Sequence, residues 1–275
     1  MFNFIANIFG YLLNFLYDLF NNYGLAIVIF SILIKLLLLP LTIKQQKTME
    51  KTNKMQEELK SLQFKYKNDP EKLNKEMMDM YKRENMSPFS GCLSSIAQLI
   101  LILAVFYLVR SPLTYMKKVD VNIINDYTNR LETKTSYPEV QLIKEFGSED
   151  ETVYVNMNFL GLDLSSVPSS NLKDVKTLVI PFLYVVSSIV SMKMTLNMQN
   201  KGKDKKEEKE GQDETAEDML QSTNKSMSYM MPIMAFSISL VAPLGLALYW
   251  LMSNVLMIAE RIFLNIIMSK KEEEA

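Results

Sequence analysis

The sequence predicts an all-α polytopic membrane protein. Its expected parts are a five-span core with a hydrophilic groove, an N-terminal interfacial helix and a cytoplasmic helical hairpin. Three observations lead there. The 30 Lys+Arg and 31 Asp+Glu are missing from long runs and crowded into others, which a mean hydropathy of +0.03 conceals. The apolar runs are long enough to cross a hydrocarbon core of ~30 Å at ~1.5 Å per residue. The polar residues left inside those runs recur four apart, on single helix faces.

Residues 1–22 form the first element. Phe2, Ile5, Phe9, Leu12, Leu13 and Leu16 recur at helical spacing, with Asn3, Asn7, Asn14 and Asp18 between them. No basic residue precedes Lys35, so the n-region of a signal peptide is missing. A retained helix lying in the interface is the expectation. Residues 23–43 are the first span, apolar but for Ser31, Thr42 and Lys35. Residues 44–86 form the hairpin. Met55, Leu59, Leu62 and Tyr66 stripe its first arm; Leu73, Met77, Met80 and Tyr81 stripe its second. Asp69-Pro70-Glu71 reads as the start of the second arm, with Asp69 as N-cap and Pro70 at the first helical position.

Residues 87–110 are the second span, and 111–176 an extracytoplasmic loop with a short strand or interfacial stretch near 153–164. Residues 177–196 are the third span, and 197–226 a charged cytoplasmic loop. From Met227 to Ala259 no residue is charged, a run too long for one crossing. Pro243-Leu244-Gly245 is a turn signal near its middle. It divides the run into a fourth span, 227–243, and a fifth, 244–260, each near the lower length limit for a crossing. Residues 261–275 are the tail. Orientation follows the basic residues: residues 44–84 carry eleven Lys+Arg and the segment before Lys35 carries none. The N-terminus is therefore expected outside, and the C-terminus in the cytoplasm of a multi-pass cell-membrane protein.

Composition removes several chemistries. Without histidine there is no Ser-His or Cys-His catalysis, no His-ligated metal and no His switch. Cys92 is the single cysteine, so neither an intrachain disulfide nor a thiolate cluster is available. No nucleotide-binding Gly-rich loop appears, and a net charge of −1 makes no case for nucleic acid. Neither a catalytic residue, a metal nor a cofactor is expected.

Lys35 is the most informative residue. A lysine in mid-span costs ~2.5–3.5 kcal/mol on insertion scales, so it is functional or paired. The predicted spans hold no acidic partner for it. Ser31 and Lys35 share a face, as do Ser94 and Gln98, Ser187 and Ser191, and Trp250 and Asn254. Each pair alone is as readily helix–helix glue as cavity lining. With an unpaired Lys35, a shared polar groove is the better reading, and Pro40, Pro181 and Pro232 supply kinks that would open it.

Several stretches together resemble the YidC/Oxa/Alb family of membrane protein insertases, in its short bacterial form without the large extracytoplasmic domain. They are residues 23–46 with Pro40-Leu41-Thr42, the charged hairpin, and Ser87-Pro88-Phe89-Ser90-Gly91-Cys92-Leu93 followed by Gln98. Met231-Pro232-Ile233-Met234, residues 243–250 and Ser253-Asn254 complete the set. The resemblance implies a groove open to cytoplasm and lipid, with Lys35 where the family usually carries arginine. It also implies substrate contacts at Ser31, Gln98, Tyr249 and Trp250, and Asn254 joins the candidate groove residues through the face it shares with Trp250. Its implied partners are nascent membrane proteins and membrane lipids, with the Sec translocon, ribosome and targeting factor meeting the hairpin. The expected function is insertion of membrane proteins with short polar tails. A small-solute transporter or channel using the same groove is the alternative.

Overall fold

Helices account for nearly all regular structure in the computed structural model, which describes residues 2–84, 90–132, 135–200, 230 and 232–273. Most of the charged loop expected over 197–226, and the residues opening the second span, lie outside these. Helix α1 (Phe2–Phe20) leads into α2 (Tyr23–Lys65) through a two-residue break. Asn21 adopts the left-handed conformation (φ 45°), which its short polar side chain tolerates better than most. Asn22 then caps α2, its side chain accepting a hydrogen bond from the Leu25 N–H at 2.9 Å.

Helix α2 is longer than the first span alone. It runs 43 residues, ~65 Å, continuously through Pro40 and becomes the first arm of the hairpin. The second arm is α3 (Pro70–Arg83), capped by Asp69, whose carboxylate accepts from the Lys72 N–H at 3.1 Å. Met55 and Met80 are buried between the arms, and Arg83 pairs with Glu58 across them.

Helix α4 (Ser90–Arg110) leads through α5 (Pro112–Tyr115), α6 (Val121–Arg130) and α7 (Pro138–Phe146) into a two-stranded antiparallel hairpin. Strand β1 (Asn158–Phe159) pairs with β2 (Leu162–Asp163). Leu160 and Gly161 both have positive φ between them, the signature of a tight type I′ turn. The loop expected to be irregular is thus a small folded layer. Helix α8 (Val179–Asn200) follows, then α9 (Pro232–Val241) and α10 (Leu244–Glu273), with the Pro243 turn between the last two.

Among the described residues, three segments are long and apolar enough to cross a membrane: Tyr23–Thr48, Val175–Asn197 and Leu244–Leu264. Leu99–Arg110 and Pro232–Val241 are shorter apolar helices. Leu36, Leu37, Phe182, Val190, Ile233 and Phe263 are exposed on these elements, a surface that suits lipid rather than water. Helix α1 shows apolar residues on two sides. Ala6, Leu13, Leu16 and Tyr17 are buried, while Phe4, Ile8, Tyr11, Phe15 and Leu19 form an open stripe. Gly10 permits the packing, because a Cβ there would lie 1.9 Å from the Tyr115 carbonyl oxygen.

The tightest packing is at the end nearest the 111–176 layer, where Leu13, Tyr23, Ile27, Phe30, Leu113, Leu142, Leu164 and Leu246 are buried together. Residues 156–166 tie it off. The Tyr23 N–H donates to the Asn156 carbonyl (3.0 Å), the Leu244 N–H to Ser166 (2.9 Å) and the Gly245 N–H to Leu164 (2.9 Å). The orphan donors that open α2 and α10 are thereby satisfied on one strip of backbone.

Glu139 is buried in this layer and accepts from the Thr114 N–H (2.8 Å) and hydroxyl (2.6 Å). Burial raises its pKa, and these hydrogen bonds offset only part of that. A carboxyl raised in the fold contributes stability that is complete below its unfolded pKa and is lost as pH rises through the folded one. Thermal unfolding of the protein in detergent should therefore show a midpoint that falls over that interval. Glu139→Gln should flatten the profile.

Candidate functional site

The strip at 156–166 starts α2 and α10 side by side, and both run from it in the same direction. Along α2, Ser31, Ile34, Lys35, Leu38 and Thr42 fall on one face. Along α10, Tyr249, Ser253 and Leu256 do the same, and Leu101 of α4 closes the third side. The cavity among them is about 40 Å³, room for a few water molecules and far too small for a peptide. The hydroxyls of Ser31 and Thr42 donate within their own helix, to Ile27 (2.7 Å) and Leu38 (3.1 Å) carbonyls. They add polarity to the wall without tying it to another helix.

Lys35 is not alone. Its Nζ lies 2.6 Å from Glu260 Oε2, with the lysine side chain 26% exposed and the glutamate 5%. The expectation of no acidic partner within the spans is corrected here. The fifth span expected over 244–260 already ends on Glu260, an acid that the uncharged run 227–259 leaves out, and α10 continues past it to Glu273. Tyr249, Ser253, Leu256 and Glu260 are spaced i, i+4, i+7 and i+11, so helical periodicity extended past Ala259 would have found the pair. Glu260 Oε1 is also buried and has no hydrogen-bond partner among the described residues.

The other expected site residues separate. Ser31 and Tyr249 line the cavity with Lys35. Trp250 and Asn254 do not; they face α8. The Trp250 ring stacks on Tyr184 at 5.9 Å between centroids, and Asn254 Nδ2 donates to Ser188 Oγ at 2.8 Å, with Ser187 Oγ at 3.4 Å. Two turns further down, Arg261 donates to the Ser191 carbonyl (3.1 Å) and to Thr195 Oγ1 (2.5 Å). The polar stripes of α8 and α10, read from sequence as two walls of one groove, meet each other. A lone Asn finding hydroxyls across an interface satisfies itself where lipid offers nothing. The Gln98 side chain lies outside the described residues. Among the described residues, no group of three His, Cys, Asp or Glu is placed to hold a metal ion.

The sequence is similar to those of known proteins. The family model described as 60Kd inner membrane protein matches residues 15–272. A membrane protein insertase YidC of Treponema denticola is 27% identical over 266 residues, covering 97% of this chain and 38% of that protein. One of Fusobacterium nucleatum is 26% identical over 264 residues, with 96% of each chain covered. One of Prosthecochloris aestuarii is 30% identical over 254 residues, covering 91% of this chain and 35% of the other. The chain therefore spans about the whole of one of these relatives and little more than a third of the other two.

If Asn254 joins helices rather than lining the cavity, a double-mutant cycle with Ser188 will register it. Asn254→Ala and Ser188→Ala, measured by thermal unfolding in detergent, should couple by about 0.6 kcal/mol. Additive effects would remove the hydrogen bond from the energetics of the α8–α10 contact.

Proposed function

The chain belongs to the 60Kd inner membrane protein family, and from that premise we propose that it is an insertase for membrane proteins with short polar tails. The observation that carries the reading is a cation, Lys35, set in a polar cavity between membrane-length helices. Such a charge is costly in lipid and gains its value by attracting an anionic group below the surface. No covalent step is required.

In this reading a client's acidic tail enters from the hairpin end. Lys35 offers it a point charge, and Ser31 and Tyr249 offer hydrogen-bonding surface. The cavity must widen to admit a chain, which requires α2 to move against α10 or α4. The client's apolar helix then leaves along exposed residues such as Leu33, Leu36 and Leu37, and its burial in lipid drives the step. Trp250 and Asn254 enter this proposal as residues that hold α8 to α10; Gln98 remains a candidate contact.

The layer packed around Tyr23, Ile27, Phe30 and Leu246 favours insertion over a through-channel, because it closes the assembly beyond the cavity. We place the N-terminus outside and the C-terminus in the cytoplasm of a bacterial cell membrane. The basic hairpin of α2 and α3 then meets ribosome, targeting factor or translocon.

The test uses liposomes holding only this protein and a single-span client with an acidic N-terminal tail. Protease protection of the tail should be high with wild type and Lys35→Arg. It should fall about tenfold or more with Lys35→Ala, the scale of a lost close charge pair. Protection no better than in empty liposomes would defeat the reading.

A further inference from the structure

Glu260 has no role in the function just described, and its surroundings assign it one. It is the acidic group that meets Lys35, it is 95% buried by side chain, and half of its carboxylate is unsatisfied: Oε2 holds the ammonium and Oε1 holds nothing among the described residues. A buried carboxylate is ordinarily supplied with donors on both oxygens. The next residue, Arg261, is bound to the Ser191 carbonyl and Thr195 hydroxyl of α8, which anchors this turn of α10. The backbone is held while the glutamate side chain, with a free oxygen, can exchange partners.

We propose that Glu260 is a built-in competitor for the groove cation: it holds Lys35 at rest, so that a client tail reaches the cation only by supplying a carboxylate that displaces it. The inference rests on the insertase reading and deepens it. Charge bookkeeping supports the exchange. Lys35 and Glu260 sum to zero, so a neutral tail gains nothing by entering. A tail with one carboxylate replaces one ion pair by another, and Oε1 with the released Oε2 can accept the tail's own N–H or hydroxyl donors. The cavity, about 40 Å³, holds a few water molecules, so a tail carboxylate that enters it lies directly against the Lys35–Glu260 pair. Lys35 is the more exposed partner, which leaves a side of its ammonium open to an incoming group. Attraction by a bare lysine would reward any acidic tail; a lysine already paired rewards only those able to compete.

The experiment compares wild type with Glu260→Gln, which keeps size and a hydrogen-bonding oxygen but removes the charge. Fluorescent single-span peptides carrying zero, one or two Asp in the tail are titrated against the full chain in detergent, with anisotropy as the readout. The same tails are presented to proteoliposomes and scored for protease protection. Glu260→Gln should bind the one-Asp peptide about tenfold more tightly than wild type, as expected for an uncompensated charge. The peptide without Asp should bind both proteins alike. Should Glu260→Gln not yield folded protein, Glu260→Asp, with its shorter reach to Lys35, should shift the one-Asp peptide in the same direction by a smaller factor. Identical dependence on tail charge in wild type and variant would overturn the proposal. So would equal weakening of all three peptides, which would make Glu260 a brace only. A wild type that shows the charge dependence in binding yet protects no tail would defeat the insertase reading and leave Glu260 as the selector of a binding groove.

Discussion

A lysine and a glutamate cannot each be left in hydrocarbon, and that constraint orders the lower half of this molecule. Either charge alone costs ~2.5–3.5 kcal/mol at mid-membrane, so α2 and α10 are rotated until Lys35 and Glu260 meet. Once α10 is turned that way, the rest of its surface is assigned. Tyr249, Ser253 and Leu256 share the face of Glu260 and wall the cavity. Trp250, Asn254 and Arg261 are turned to α8, where an aromatic ring, two serines and a threonine receive them. The pair is weak evidence for stability, since desolvation offsets much of its attraction. Its effect is on register and rotation.

The opposite end obeys a different constraint. Helices that begin near lipid expose N–H groups that water cannot satisfy, and residues 156–166 accept those of α2 and α10 together. The same segment brings Leu164 into the buried cluster with Tyr23 and Leu246. One end of the assembly is therefore packed and capped, while the end holding Lys35 is polar and loosely filled. The cavity lies at the second.

Much of this was legible in the sequence, because membrane helices write themselves as uncharged runs. Gly24–Ile43 marked the first long helix, Pro243-Leu244-Gly245 the turn before α10, and Asp69-Pro70 the start of α3. The prominence of Lys35 was legible for the same reason: it interrupts such a run. Its partner is harder to read, because Glu260 is the last residue of the expected fifth span, where a charge passes for the end of a run, and only the i, i+4, i+7, i+11 spacing from Tyr249 places it on the cavity face. The polar stripes at Ser187–Ser191 and Trp250–Asn254 were visible too, but periodicity names a face without naming what it meets. The fold within 111–176 was the least legible. Its elements are two to ten residues long, and Leu160 takes a positive φ that its side chain gives no hint of.

The continuity of α2 makes it a lever. Its fulcrum is the hydrogen-bonded start at Asn22 and Tyr23, Lys35 lies ~18 Å along it, and Lys65 lies ~63 Å along it. A load applied at the far end acts on the Lys35–Glu260 contact with a mechanical advantage of about 3.5, by the ratio of those arms. Were α2 to pivot as a rigid rod, a displacement of ~3.5 Å at the hairpin would become ~1 Å at the ion pair, enough to take a 2.6 Å contact out of hydrogen-bonding range. Whatever docks on the hairpin thus holds the long arm, and the groove feels the short one.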